Sequence, residues 1–190
     1  MTGKFVKLFK TKHDPNAITE GIIWKQLLLF FFPILFGTFF QQLYNTVDAI
    51  IVGRYLGKEA LAAVGGGTGT IINLLVGFFT GISTGATVII SQFYGAKREK
   101  EVSLGVHTAF ALSIVGGIVI TILGFFTAPI LLKLLKTPED IFDLSVTYIR
   151  IFFLGIIPTI IYNMGSGILR AIGDSKRPLY YLIVGTFVNI

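Results

Sequence analysis

Long apolar runs separated by short charged connectors constrain this 190-residue chain more than any other feature of its sequence. The runs cover roughly residues 26–53, 60–90, 102–132 and 141–169, and a further one begins at Pro178. Each of the first four is longer than the ~18 apolar residues that indicate a membrane-spanning helix. Only 14% of the residues are charged, compared with about a quarter in a typical soluble domain. The pattern predicts an all-α, polytopic transmembrane helix bundle.

The chain divides into a polar N-terminal tail, residues 1–21, and a transmembrane region, residues 22–190. The tail is either a solvated segment or a short amphipathic helix on the membrane surface. A run near 30 residues would measure ~45 Å as a helix, so it should tilt, kink or project beyond a ~30 Å hydrocarbon core. The run from Pro178 would measure ~20 Å as a helix, which is too short to cross. We therefore expect the sequence to be a fragment of a longer protein.

The lysines and arginines predict which side of the membrane each connector occupies. Most of them lie in the tail, in the connector 95–101 and in the connector 173–178, whereas the connectors 53–59 and 133–140 hold fewer. Because cytoplasmic loops are enriched in Lys and Arg, we predict a cytoplasmic N-terminus in a multi-pass protein of the cell membrane. The chain has no cysteine, which excludes disulfides and cysteine-based metal sites.

Asp48 is a carboxylate inside the first apolar run. It precedes Arg54, at the predicted outer surface, by six residues, or ~9 Å of helix. An acid at the centre of a membrane helix costs ~2.5–3.5 kcal/mol on insertion scales, and less toward the edge. Gln41, Tyr44 and Asn45 share its helix face, and we call these four residues the polar stripe. The acid is either structural or part of a cation or proton site that lines a cavity, and its neutral polar neighbours favour the second interpretation.

Pro33 lies in the same run, 15 residues before Asp48. It removes a backbone hydrogen-bond donor from the helix interior and favours a kink there. The kink is either a packing feature or the hinge of a conformational change.

A series of glycines with a spacing of four residues marks the second run. It consists of Gly65, Gly69, Gly77, Gly81 and Gly85, with Asn73 in the remaining slot. Small residues at this spacing allow close helix packing in lipid. We therefore predict a packing face, with Asn73 as a polar group facing a cavity.

The segment GISTG, residues 81–85, matches the nucleophile-elbow pattern around Ser83. That motif needs a strand-to-helix turn and a histidine partner, whereas Ser83 lies within a predicted helix. The two histidines are His13 in the tail and His107 at the start of the third run. We interpret the match as chance and predict that the protein is not an enzyme.

Arg150 and Tyr148 are the notable polar residues of the fourth run. Arg150 can snorkel or pair with a carboxylate, and we interpret it as mainly structural. Tyr148 is the better cavity residue, because a phenol can hydrogen-bond a carboxylate without introducing a second charge.

Three segments of the sequence together resemble the MATE (multidrug and toxic compound extrusion) family. They are DAIIVGRYLGKEALAAVG in the first and second runs, STGATVIISQFYGAK at the end of the second, and ILRAIGDSKRPL before the fifth. The resemblance extends from about residue 22 to the end. It implies an antiporter with twelve helices in two lobes, of which this chain would supply about four and a half helices of the six-helix N-terminal lobe. Such a protein exports cationic or amphiphilic drugs and toxic compounds in exchange for sodium ions or protons.

The resemblance also implies roles for individual residues. It places a cation- or proton-binding site at Asp48, Tyr148 and Asn189, with Asp48 and Asn189 as ligands if the coupling ion is sodium. It assigns the bend of the first helix to Pro33. A second acid, four residues after Asn189, would lie beyond this sequence. The implied partners are a cationic small molecule, membrane lipid and the C-terminal lobe, without nucleic acid and without a cofactor other than the ion, and the implied source is bacterial.

Two alternative functions remain at this point. A flippase for lipid-linked oligosaccharide, from the same superfamily, would need a basic cavity, but the first run carries an acid. A membrane assembly subunit that transports nothing would account for the glycines but not for the polar stripe.

Overall fold

The computed structural model describes residues 22–189, except for the side chains of Ile23 and Asn189. The prediction for the N-terminal tail concerns residues 1–21, which lie outside this range. In chain order the helices are α1 (Ile23–Tyr55), α2 (Gly57–Gly65), α3 (Gly67–Gly95), α4 (Glu99–Leu134), α5 (Glu139–Leu154), α6 (Ile156–Ala171) and α7 (Lys176–Asn189). The predicted all-α bundle is confirmed.

Three helical segments are long and apolar enough to cross a membrane: Trp24–Tyr55, Gly57–Gly95 and Glu99–Leu134. The pair α5 and α6 gives a fourth if the two bent helices count as one span. The chain is therefore a membrane protein, and most of its large exposed side chains are aliphatic or aromatic, as expected where lipid replaces water.

The second predicted run, 60–90, is not one helix in the structure. It is interrupted at Gly66, whose backbone (φ −72°, ψ −122°) is not helical. The Thr68 hydroxyl bonds to the carbonyl oxygens of Ala63 and, at 2.8 Å, Val64. A side chain that bonds local carbonyls in this way competes with the helical ladder and stabilises the break between α2 and α3.

The fourth predicted run, 141–169, also differs from expectation, because α5 and α6 meet at Gly155 with a bend of 50°. Pro158 has no N–H to donate to the carbonyl of Leu154, so the ladder cannot continue through the junction. The side chain just before the bend, Phe153, is 1% exposed. After the bend, α6 packs against α3 and α4.

The buried core lies between α3, α4, α5 and α6 and consists of two clusters. One joins the start of α3 to the end of α4 and to the α5–α6 bend; its buried members are Ile71, Phe79, Ala128, Leu132, Ile149, Phe153, Ile156 and Ile160. The other joins the end of α3 to the start of α4 and the end of α6; its buried members are Ile90, Ala109, Met164, Ile168 and Ala171. These four helices form the densely packed part of the molecule.

Helix α1 lies outside that core and packs along α7 and α2. Its one buried residue among those described is Gly37. A Cβ atom at Gly37 would lie 3.7 Å from Leu182 and 3.9 Å from Leu179 of α7, so the two helices approach closely there. Most of the remaining residues of α1 are exposed, including two of the polar stripe, Gln41 and Asn45.

The connector before α7 ends in a polar cap. A carboxylate oxygen of Asp174 accepts hydrogen bonds from the backbone N–H groups of Lys176 (3.2 Å) and Arg177 (3.1 Å). The other oxygen pairs with the Arg177 side chain at 2.9 Å. An acid at a helix N-terminus satisfies free N–H groups, which explains why α7 begins where it does.

The glycine series of the second run does not form the predicted packing face within residues 22–189. Added Cβ atoms at Gly77, Gly81 and Gly85 would meet nothing within 4 Å. The close approaches occur at other glycines: at Gly124 a Cβ would lie 2.2 Å from the Phe153 ring, and at Gly167 it would lie 2.6 Å from the Ser83 hydroxyl. Glycine spacing predicted the capacity for close approach, but the position of the neighbouring helices decides where it is used.

Candidate functional site

The polar stripe lies on α1 as predicted, but its members differ in their surroundings. Tyr44 and Asp48 are half-buried, whereas Gln41 and Asn45 are exposed. Asn45 donates to the side chain of Gln42 at 3.4 Å, on the same helix. The part of the stripe with a defined environment is therefore the pair Tyr44 and Asp48, one helical turn apart.

Asp48 interacts with two tyrosines that come from different helices. The Tyr44 side chain lies one helical turn from the carboxylate, and Tyr44 and Tyr148 both lie close enough to Asp48 to interact with its charge. Helix α5 does not pack directly on α1 in the described chain, so the tertiary fold places Tyr148 near the acid across a gap. A carboxylate with two phenols has hydrogen-bond donors available without a compensating positive charge, which leaves its charge free to bind a cation or a proton.

Asn189 is the last described residue of α7, and its side chain lies outside the description. If α5 and α6 form one span, α7 is the fifth segment of an alternating series and runs in the same direction as α1. From their contact at Gly37 and Leu182, Asn189 lies ~10 Å along α7 and Asp48 ~16 Å along α1. The backbone of Asn189 thus lies within about two helical turns of the level of Asp48.

Two other predicted site residues do not join Asp48. Asn73 is exposed on α3, beside the open glycine series, and makes no hydrogen bond to the described residues. Pro33 is half-buried within α1, which continues as a helix through it from Ile23 to Tyr55. Neither residue touches the carboxylate, so any role for them in ion binding would be indirect.

The described residues contain no group of three or more acidic or histidine side chains that could hold a metal ion. Asp48 is the carboxylate of the stripe, and its neighbours are phenols and amides. A sodium ion at this position would need neutral oxygen ligands in addition to the acid, because hard cations bind several oxygens.

Arg150 and Ser83 both serve packing. The Arg150 guanidinium lies 5.1 Å from the centre of the Phe125 ring, and its Nε donates to the Phe125 carbonyl at 3.3 Å. The Ser83 hydroxyl lies within α3 and donates to the carbonyl of Asn163 on α6 at 3.1 Å. His107 bonds the carbonyl of Ser103 on its own helix, so the nucleophile-elbow match around Ser83 has no histidine beside it.

A cavity of about 440 Å³ lies where the C-terminal end of α1, helix α2 and the first three turns of α5 meet. Its walls are largely aliphatic, and its polar side chains are Asp143, Thr147 and Tyr148 of α5. The sequence analysis missed the cavity. Only the four-residue spacing of Asp143 and Thr147 could have indicated that they share a face.

The sequence profile of the MatE family matches residues 33–190, a range that includes α1 from Pro33 onward and all of α2–α7. The chain belongs to the MATE family. Among the relatives, the probable multidrug resistance protein YoeA of Bacillus subtilis (strain 168) is 35% identical over 168 residues. That alignment covers 88% of this chain and 36% of the relative, so the chain spans little more than a third of the length of the curated protein.

Solved MATE structures share the fold of this lobe. A MATE protein in a straight conformation superposes with a TM-score of 0.84 at 26% identity, and the alignment covers 94% of this chain and 39% of that one. A bent conformation gives a TM-score of 0.81 at the same identity, over 92% and 38% of the two chains. The arrangement of α1–α7 is therefore that of one part of a MATE protein.

Proposed function

We propose that this MATE chain is part of a secondary antiporter that exports cationic or amphiphilic toxic compounds in exchange for sodium ions or protons. The observation that carries the proposal is the isolated carboxylate of Asp48 within a membrane span, one helical turn from Tyr44 and near Tyr148. A group that is costly to place in lipid and is surrounded by neutral donors has the chemistry of a cation or proton site. The name of the relative YoeA, a probable multidrug resistance protein, supports drug compounds as the cargo.

Asp48 would couple the two fluxes by exclusion. The ionised carboxylate attracts an organic cation, and binding of a proton or sodium ion removes that attraction. An ion can drive export only if it binds the outward- and inward-open states with different affinities. Because desolvation raises the free energy of the charged form, a change in the exposure of Asp48 between the two states supplies that difference.

The two candidate ions require different ligands. A proton needs only the carboxylate, with Tyr44 and Tyr148 as hydrogen-bond partners. A sodium ion needs further oxygens, and the amide of Asn189 is the candidate on the neighbouring helix α7. In either case the proposal includes no cofactor besides the ion, and we expect no enzymatic activity.

Pro33 is the proposed hinge of α1. The helix is continuous through it here, and it lies one turn from Gly37, where α7 packs closely. A MATE protein has been solved in a straight and in a bent conformation, which supports a conformational change of this kind. Neutralisation of Asp48 would bend α1 at Pro33, and full transport by Pro33→Ala would contradict this role.

The remaining features of the proposal concern topology and partners. The N-terminus would be cytoplasmic in the cell membrane of a bacterium, and a C-terminal lobe would complete the transporter. Gln41, Asn45 and Asn73, which are exposed in the described chain, would line the substrate cavity between the lobes. Arg150 is held by Phe125, which argues against its use in the basic cavity that a flippase would need.

The experiment uses the full-length protein in proteoliposomes. Efflux of a fluorescent cationic dye is measured under a sodium gradient and then under a proton gradient, for wild type, Asp48→Asn and the control Asp140→Asn. We expect one gradient to drive efflux, Asp48→Asn to abolish it and Asp140→Asn to retain it, since Asp140 is exposed at the start of α5. Normal efflux by Asp48→Asn would overturn the proposal.

A further inference from the structure

The cavity at the outer ends of α1, α2 and α5 combines aliphatic walls with a single acid. Most of its apolar surface comes from α1, the turn after it, α2 and α5: Val52, Leu56, Ala60, Ala63, Leu144 and Ile151. At about 440 Å³ it falls within the ~300–1,000 Å³ of sites that bind organic molecules. An inorganic ion alone would leave these walls without a partner.

Asp143 gives the cavity its charge. The side chain is exposed, and no Lys or Arg of the described residues forms an ion pair with it. It lies four residues into α5, and Glu139 and Asp140, which precede it, do not line the cavity. A carboxylate without a basic partner at the rim of an apolar cavity favours an organic cation over a neutral or anionic ligand.

Tyr148 joins this cavity to the Asp48 group. Its side chain lines the cavity and lies close enough to Asp48 to interact with its charge. A phenol ring can also contact a cation through its face. The side chain of Tyr148 therefore lies between a ligand in the cavity and the surroundings of Asp48.

We propose that this cavity is a second, outer binding site for an amphiphilic organic cation, with the positive group at Asp143 and the apolar body against α2. Its place in export rests on the proposed function: the exported compound would occupy this site after it leaves the region of Asp48. Asp143 and Thr147 would then determine which compounds are held at the outer surface, independently of the coupling ion.

The test measures equilibrium binding, without any gradient, to the full-length protein in nanodiscs, with empty nanodiscs as background. The probes are tetraphenylphosphonium and tetraphenylborate, which have nearly the same shape and opposite charge. All variants carry Asp48→Asn, which removes the acid of the proposed coupling site. To this background we add Asp143→Asn, Ala60→Trp, which fills the cavity, or the control Asp140→Asn, and size-exclusion chromatography checks that each variant is folded.

We expect saturable binding of tetraphenylphosphonium by the Asp48→Asn protein, weakened by about tenfold in Asp143→Asn, which corresponds to the loss of ~1.4 kcal/mol. Ala60→Trp should abolish binding and Asp140→Asn should leave it unchanged. Tetraphenylborate should bind more weakly than the cation, and Asp143→Asn should not weaken it further.

Equal affinity for the two probes, or equal effects of Asp143→Asn and Asp140→Asn, would overturn the proposal and indicate an apolar pocket for lipid chains. Absence of saturable binding by the Asp48→Asn protein would also overturn it, and would leave the role of Asp48 in coupling intact. Normal dye efflux by Asp48→Asn would instead remove the proposed function while the binding result stands.

Discussion

The helices α3–α6 and the helix α1 represent two different uses of a membrane span in this chain. The former enclose both buried clusters, and glycines such as Gly124 and Gly167 allow side chains of neighbouring helices to approach within van der Waals distance. Helix α1 has one buried residue among those described, Gly37, and carries the polar stripe on a largely exposed surface. Lipid is as apolar as a leucine side chain, so close packing and not burial from water holds membrane helices together.

The difference suggests a division of labour. The α3–α6 core is a frame in which small changes of volume should affect stability. Helix α1 makes few tight contacts, so its polar residues should affect ion binding and transport while stability changes little. Four substitutions test this division, from the largest expected effect to the smallest.

Gly124→Ala should have the largest effect, because the new Cβ would lie 2.2 Å from Cε1 of Phe153. Phe153 is buried at the α5–α6 bend and cannot move without displacing the core. Overpacking of this kind costs ~1–3 kcal/mol and occasionally more, and we expect the upper end here. Thermal unfolding of the purified full-length protein in detergent measures it. The double variant with Phe153→Leu should recover part of the loss, and an unchanged melting temperature would contradict the packing described.

Tyr44→Phe should reduce the apparent affinity for the coupling ion by about tenfold, because it removes the phenol that can donate to Asp48 from one helical turn away. A hydrogen bond to a charged group contributes ~1.5–3 kcal/mol, and we expect the lower end for this half-buried pair. Ion-dependent dye efflux in proteoliposomes measures the change. Tyr162→Phe is the matched control, because the Tyr162 hydroxyl donates to the Pro178 carbonyl, away from Asp48. Equal effects of the two substitutions would show that Tyr44 has no specific role at the acid.

Gly167→Ala should cost ~1 kcal/mol, at the lower end of the range for overpacking. The Cβ would lie 2.6 Å from the Ser83 hydroxyl and 2.7 Å from that of Thr87, and the ends of these short side chains can adjust more easily than a buried ring. Thermal unfolding again measures the loss. Adding Ser83→Ala should restore part of the lost stability. If it restores none, the strain does not arise from the contact with Ser83.

Gly81→Ala should have the smallest effect. Nothing lies within 4 Å of the added Cβ, and replacing glycine by alanine in a helix interior favours the helix by up to ~1 kcal/mol. We therefore expect an unchanged or slightly raised melting temperature for the full-length protein. A loss comparable to that of Gly124→Ala would show that the glycine series packs against a surface outside residues 22–189.

The sequence alone determined the class of the protein and the position of its acid. Apolar runs longer than a bilayer is thick specify membrane helices whatever their neighbours are, and the spacing of Tyr44 and Asp48 places them on one face of any helix. The family resemblance rests on local sequence segments and could therefore be recognised without knowledge of the three-dimensional structure. These properties depend on hydrophobicity and helical period, which are local.

Only the tertiary structure decided which residues meet. The space beside Gly81 is empty, whereas the space beside Gly124 is filled by Phe153, because contact depends on where a second helix passes. Tyr148 lies near Asp48 although 100 residues separate them, and the cavity at Asp143 exists because the ends of α1, α2 and α5 converge. The breaks at Gly66 and Gly155 were missed for the same reason: each lies within a continuous apolar run, and the local bonds and packing that stabilise a bend are not visible in hydrophobicity.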